Sequence, residues 1–314
     1  MNIRKEALEA EQRIKKYIRK TPLEYSPFLS KLGDCNVFLK LENLQQTGSF
    51  KIRGAMNKIL SSTNQKRFIT ASSGNHGVAV AYTLDKFELE GSIYLPENTS
   101  KTKIDALQNY DIETSLFGND CVQTELFAQQ IARERDIMFI SPYNDLKIIG
   151  GQATIGIELE QQLDVIDTVF VPIGGGGLIS GIAGYLKSSR DQVKIVGCQP
   201  ENSPVMFESV KAGKIVEMES KPTISDGTAG GIEHKSITFE ICRKYVNDYV
   251  LVNENQIKQS IILALDKHSL LIEGAAALSI ASFVKVKEKF KGQNIVLLLT
   301  GSKISNEKLK EVLC

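Results

Sequence analysis

An α/β fold built mainly on parallel strands is predicted by three features of this 314-residue sequence. Short apolar runs alternate with longer amphipathic ones through most of its length, the pattern of strands joined by helical crossovers. Several apolar runs stop directly at polar or glycine-rich loops, and ligands of open parallel sheets gather where such loops leave the carboxyl ends of strands. A length of 314 residues with a hydrophobic fraction of 42% suits two lobes better than one.

Taken in order, Val37-Phe38-Leu39 centres a strand over residues 36–41, and Phe68-Ile69 another over 67–71. Ile93-Tyr94-Leu95 gives a strand over 91–95, and residues 113–117 end a further one in Leu116-Phe117. Ile137-Met138-Phe139-Ile140 is read as a strand over 136–140, and Val169-Phe170-Val171-Pro172-Ile173 as a buried one over 168–173. Ile195-Val196 marks 194–198, Val250-Leu251-Val252 marks 249–252, and Ile295-Val296-Leu297-Leu298-Leu299 marks a fully buried strand over 294–300. No internal repeat, low-complexity tract or linker interrupts the series, so composition marks no domain boundary.

Charge and cysteine content narrow the class of function. With 38 basic against 37 acidic residues the formal charge is +1, which gives no broad field for nucleic acid or an acidic membrane surface. Cys35, Cys121, Cys198, Cys242 and Cys314 are scattered and odd in number, without metal-site or disulfide spacing, so they are expected to be reduced thiols in a cytoplasmic protein. The charged start Met1-Asn2-Ile3-Arg4-Lys5-Glu6 and the lack of any span of about 20 apolar residues argue against secretion and membrane insertion.

Three loops carry the chemistry. Gly174-Gly175-Gly176-Gly177 follows a predicted strand and opens a helix at Leu178, so backbone N–H groups unobstructed by any Cβ, together with a positive helix end, suit a phosphate. The run matches neither the G-x-x-x-x-G-K-[ST] nor the G-x-G-x-x-G pattern, which points away from nucleotides. In Thr47-Gly48-Ser49-Phe50-Lys51-Ile52-Arg53-Gly54-Ala55, Ser49 is a possible cap and Lys51 starts a helix. Desolvation and the helix end would lower its amine pKa toward the neutral form that attacks an aldehyde. Arg53 is the competing candidate for an anion contact in that loop, with Lys51 as its solvated companion. The third loop, Ser72-Ser73-Gly74-Asn75-His76-Gly77, again joins strand to helix and suits a carboxylate. Ser73 is a candidate proton donor or acceptor there, Asn75 a donor to a ring oxygen, and Ser72 equally a helix cap. His76 lies in the first helical turn and, like His234 and His268, has no neighbours that complete a metal site or triad. An amine, a phosphate loop and an amide donor are together the handles that pyridoxal phosphate requires.

These loops, with Asp226-Gly227-Thr228-Ala229-Gly230-Gly231, Glu273-Gly274-Ala275-Ala276 and Thr300-Gly301-Ser302, resemble the threonine/serine dehydratase and serine racemase family over essentially the whole chain. The resemblance implies a fold-type II pyridoxal phosphate enzyme with a small domain at 61–145 inserted in a large one formed by 1–60 and 146–314, assembled as a homodimer. It implies Lys51 as Schiff-base lysine and Cα base, Phe50 packing beside it, Asn75 on the cofactor's 3′ oxygen and Gly174 to Gly177 on the phosphate. Thr300 would face the pyridine nitrogen, where many relatives carry Ser, and residues 72–76 would bind the substrate carboxylate. The implied reaction is α,β-elimination from L-threonine or L-serine, with aminoacrylate hydrolysing to a 2-oxo acid and ammonia. Ser73 keeps serine racemisation open, because racemases of this family use a serine there. Residues 226–233 and 238–240 also resemble the hydroxyectoine-utilisation dehydratase branch, and a noncatalytic pyridoxal phosphate or amino-acid binding protein is the reading from another class. Two positions depart from the family. Gln199 and Val205 stand where an acidic divalent-cation site is expected, so no metal is assigned, and Lys303 stands where relatives often have Asn. With about one helix after Thr300, no isoleucine-responsive regulatory domain is expected.

Overall fold

A computed structural model describes residues 1–314 except Thr63, Lys66, Ser100 and Asp120, and the side chains of Thr102 and Cys121 also lie outside the described residues. Its ten strands are β1 (Leu23–Tyr25), β2 (Asn36–Leu41), β3 (Arg67–Ala71), β4 (Glu90–Leu95), β5 (Glu113–Leu116), β6 (Met138–Phe139), β7 (Thr168–Pro172), β8 (Lys194–Pro200), β9 (Asp248–Val252) and β10 (Asn294–Leu299). They form two sheets. One has the order β1-β2-β10-β7-β8-β9 and the other β5-β4-β3-β6. All pairings are parallel except β1 on β2, and helices lie between successive parallel strands.

Hydrophobicity orders the larger sheet. β7 and the last five residues of β10 are wholly buried, as expected of central parallel strands covered on both faces. Burying one such Val, Leu or Ile side chain contributes roughly 1.5–3 kcal/mol. The edge strand β1 has no counterpart among the predicted strands: it is three residues long, follows Pro22 and pairs antiparallel, so it carries neither length nor alternation. The run predicted as a strand over 136–140 pairs only at β6, because Asp136 takes a left-handed φ of 52° and turns the chain out of the preceding helix. Strand β10 ends at Leu299, one residue short of Thr300, whose carbonyl turns to accept from Phe50 N–H.

The helix Lys51–Leu60 crosses the helix Leu146–Gln162 at closest approach through Gly54, where a Cβ would come 2.9 Å from the Ile148 carbonyl oxygen. Asp145 caps the longer helix by accepting from the Lys147 and Ile148 amides, and pairs with Lys58 at 2.7 Å. The two helices are thereby fixed to each other beside the loop that carries Lys51.

Arg53 settles one alternative of the lysine loop. Its side chain is fully buried, with Nε 2.8 Å from Glu42 and Nη1 2.7 Å from Glu158, while Lys40 pairs with Glu158 from the other side. It is therefore an internal ion-pair residue and not an anion contact. Ser49 does not cap the helix. Its residue bridges Gly301, its hydroxyl is buried without a partner, and the N-cap position belongs to Phe50.

Cys35, Cys198, Cys242 and Cys314 are free thiols, the first three buried. No helix among the described residues is long and apolar enough to cross a membrane.

Candidate active site

The cleft is assembled by hydrogen bonds that zip the lysine loop to the end of β10: Phe50 N–H donates to the Thr300 carbonyl at 3.1 Å and Ser302 N–H to the Gly48 carbonyl at 2.9 Å. Lys51 consequently lies near the strand end that carries Thr300, although 249 positions (300 − 51) separate them in sequence. Its amine donates to the Pro142 carbonyl at 2.9 Å, from the loop that follows β6. Burial pushes the amine down to about 8, against the pull of the Glu273 and Glu125 carboxylates. At pH 7 roughly a tenth of such an amine is neutral, several-hundredfold more than for an ordinary lysine.

The third loop leaves β3 and enters the helix Asn75–Lys86, whose N-cap is Gly74 with no side-chain cap. Ser72 therefore does not cap the helix; its hydroxyl accepts from Gly74 N–H within the loop at 3.3 Å. Ser73 is half-buried, and its hydroxyl has no hydrogen-bond partner among the described residues. Asn75 donates to Glu273 at 2.7 Å and keeps its Oδ1 buried without a partner. The His76 ring is buried and bonds the Ile140 carbonyl at 3.0 Å. Burial and the Lys51 charge hold that ring neutral, down to about 3, so only its backbone remains available to a ligand of the loop 72–77.

Each glycine of the run 174–177 is enforced by a neighbour. A Cβ on Gly174 would lie 3.0 Å from Thr228, one on Gly177 would lie 3.0 Å from Tyr143, and one on Gly175 would enter the Tyr143 ring. Gly176 has a φ of 86° and caps the helix Gly177–Ser189, while the Thr238 hydroxyl donates to the Gly175 carbonyl at 2.6 Å. The resulting cradle has bare backbone at a positive helix end, which fits a phosphate. Together with a depressed lysine amine and the second Nδ2 hydrogen of Asn75, free to donate to a ring oxygen, the residues present fit pyridoxal phosphate.

Several residues of the cleft carry no sequence signal. Glu273 opens the segment Glu273-Gly274-Ala275-Ala276, yet nothing local marks its carboxylate as the acceptor for both Asn75 and Thr300. Glu125 sits on an ordinary amphipathic helix, Cys121–Glu134; burial and the Glu233 charge push it up to about 7. Tyr143 and Asn144 tie the loop after β6 to residues 233–237. The Tyr143 hydroxyl accepts from Glu233 N–H at 2.8 Å, and Asn144 donates to the Glu233 carboxylate at 2.8 Å. Burial followed by the Glu233 charge pushes the Tyr143 phenol well above its ordinary value.

Gln199, the first of the two positions where the resemblance leads us to expect an acidic ligand, is committed to backbone partners. Its Nε2 donates to the Ile173 carbonyl at 3.3 Å, just before the glycine run, and its Oε1 accepts from Phe207 N–H at 2.8 Å. A neutral amide thus bridges two elements, and among the described residues no group of three or more His, Cys, Asp or Glu side chains is placed to hold a metal. Gln199→Leu is expected to destabilise the fold by about 1–3 kcal/mol by stranding both backbone partners. Denaturant midpoints would read this loss, while a chelator should leave the wild-type midpoint unchanged.

Comparison with known proteins agrees with the chemistry of this cleft. Residues 14–301 match the family model described as pyridoxal-phosphate dependent enzyme. The chain is 38% identical to L-threonine ammonia-lyase of Thermotoga maritima, covering 94% of this chain and 74% of that protein. It is 35% identical to the catabolic L-threonine dehydratase TdcB of Escherichia coli, covering 97% and 94%. Its fold superposes on maize serine racemase with a TM-score of 0.92 at 28% identity, covering 99% of this chain and 96% of that one. It also superposes on processed threonine deaminase isoform 2 of Solanum lycopersicum with a TM-score of 0.93 at 30% identity, covering 99% and 87%. With a lysine, a phosphate cradle and an amide donor in one cleft, and a family match spanning nearly its whole length, this chain belongs to the fold-type II pyridoxal-phosphate dependent enzymes and takes pyridoxal phosphate as its cofactor.

Proposed function

We propose that the chain is an ammonia-lyase that eliminates water from a small β-hydroxy amino acid, L-threonine or L-serine, yielding a 2-oxo acid and ammonia. The single observation that carries this reading is the Lys51 amine, held at the cleft by the Pro142 carbonyl and lowered to about 8. Bound pyridoxal phosphate supplies the electron sink that makes the Cα–H bond of an attached amino acid acidic. Gly174 to Gly177 would hold its phosphate, Asn75 its ring oxygen and Thr300 its ring nitrogen, with Phe50 beside Lys51. Residues 72–76 would orient the substrate carboxylate through backbone N–H groups and the Ser72 and Ser73 hydroxyls. Lys51 Nζ would accept the Cα proton, the Cβ–O bond would break, and the hydroxyl would leave as water with the proton that Lys51 took from Cα. The unsaturated product then hydrolyses to the 2-oxo acid and ammonia.

Purified protein loaded with pyridoxal phosphate is expected to convert L-threonine or L-serine to equal amounts of 2-oxo acid and ammonia. Absence of both products with these substrates would overturn the reading. Serine racemisation is a second reading, favoured by the uncommitted Ser73 hydroxyl. If it operates, Ser73→Ala should lower D-serine formation by about 10²-fold or more while 2-oxo acid formation changes only a few-fold. Equal loss of both activities would remove Ser73 from a reprotonating role.

The small domain is assigned to residues 61–145, which contain the four-stranded sheet, and the large domain to the remainder. A homodimer is supported by the exposed apolar side chains Tyr25, Phe28, Leu32 and Leu265 on neighbouring elements, since a patch of this kind suits a second copy. A cytoplasmic location is supported by the scattered cysteines, four of which are free thiols among the described residues.

A further inference from the structure

We propose that Glu273 is a positioning residue that takes up a proton when pyridoxal phosphate enters the cleft, so that cofactor loading is linked to pH through Asn75 and Thr300. The inference rests on the cofactor placement proposed above. Glu273 is 5% exposed, accepts from Asn75 Nδ2 at 2.7 Å through Oε2, and accepts from the Thr300 hydroxyl at 3.2 Å through Oε1. Its backbone is fixed, with its N–H on the Gly301 carbonyl at 3.0 Å and its carbonyl receiving Ala277 N–H at 3.1 Å. Room for the carboxylate is made by Gly301, where a Cβ would lie 2.6 Å from Oε1.

Proton counting gives the linkage. A threonine hydroxyl has one hydrogen, and in this structure Thr300 gives it to Glu273. When that hydrogen turns to a ring nitrogen, the Thr300 oxygen can only accept from Glu273, and a carboxyl can donate only when protonated. Asn75 has two amide hydrogens and can serve Glu273 and a phenolate oxygen together, so it forces no change. An ionised Glu273 would therefore be left buried with one donor fewer, which disfavours the charge.

The surrounding charges leave the carboxyl close to this transition. Lys303, from the turn after β10, and Lys51, from the helix Lys51–Leu60, favour ionisation. Asp226, from the short helix Asp226–Thr228, opposes it while pairing with Lys308 at 3.0 Å. Burial outweighs the hydrogen bonds and brings Glu273 up to about 7 before loading. Further loss of a donor raises it again. Binding is therefore proton-independent below pH 7 and weakens above it, until the carboxyl of the loaded form also ionises.

The test is titration of cofactor-stripped full-length protein with pyridoxal phosphate from pH 6 to 9, read by the absorbance of the bound cofactor, for wild type and Glu273→Gln. A glutamine accepts from Asn75 and donates to Thr300 at every pH, so it mimics the protonated acid. Lys51 chemistry is common to both proteins and cancels in their ratio. The wild-type dissociation constant, divided by that of Glu273→Gln, should rise by about tenfold per pH unit above pH 7. Calorimetry in two buffers near pH 8 should show about one more proton taken up by the wild type. Lys303→Met keeps the carboxyl but removes a cation, and should move the onset to higher pH. Parallel pH curves with equal proton uptake, or an onset unmoved by Lys303→Met, would overturn the linkage while leaving the cofactor site intact. Failure of both proteins to bind pyridoxal phosphate would instead overturn the site, and the linkage with it.

Discussion

Lys51→Ala is expected to lower turnover of L-threonine or L-serine by at least about 10³-fold, because the proposed mechanism makes one amine both the attachment point of the cofactor and the base at Cα. Pyridoxal phosphate should still bind through the glycine cradle, yet borohydride should no longer fix it to the protein. In the wild type the same treatment should place one cofactor mass on the peptide that contains Lys51. Partial rescue of Lys51→Ala by a small alkylamine would separate loss of a base from loss of structure. Retention of a borohydride-fixed cofactor on another lysine would show that the attachment lies elsewhere. The neighbourhood makes such a substitute hard to supply: Lys51 is drawn down to about 8 by burial, whereas the Lys303 side chain, in the turn after β10, is exposed to solvent.

The second large effect concerns stability. Arg53→Met should cost about 3–5 kcal/mol, since it strands the Glu42 carboxylate, which is fully buried, and removes one of the two cations on Glu158. Chemical denaturation should show the loss. Turnover at low temperature should suffer far less than in Lys51→Ala, because Arg53 holds the base of the helix and does not face the cleft. An unchanged midpoint would mean that the ion cluster is worth no more than an apolar substitute. The same cluster sets an acid limit. Burial alone would raise the Glu158 carboxyl, but the Arg53 and Lys40 charges outweigh it and hold the group below its ordinary value. The associated stability is therefore present at neutral pH and is lost as pH falls below the ordinary glutamate range toward the lower folded value.

The parts of the site that could be read from the chain are those encoded by adjacent residues. The loop 174–177 announces itself because four glycines stand between a β-strand and a helix, and the same strand-loop-helix context marks Lys51 and Asn75. Boundaries were less legible where backbone geometry overrides apolar character. Asp136 adopts a left-handed turn before β6, and Thr300 leaves β10 to meet Phe50. Strand β1 exists only because β2 offers it an edge.

Sequence by itself determined the α/β class and singled out three loops and one lysine as candidates, since hydrophobic period and glycine content are local properties of neighbouring residues. Tertiary structure alone decided what those groups touch. Arg53, a plausible anion contact beside Lys51, is turned inward onto Glu42 and Glu158. Glu273 meets Asn75 across 198 positions and Thr300 across 27, and burial of that carboxylate against two neutral donors is what brings it to about 7. Ionisation depends on solvent exclusion and on charges converging from separate elements, and no stretch of contiguous sequence contains that information.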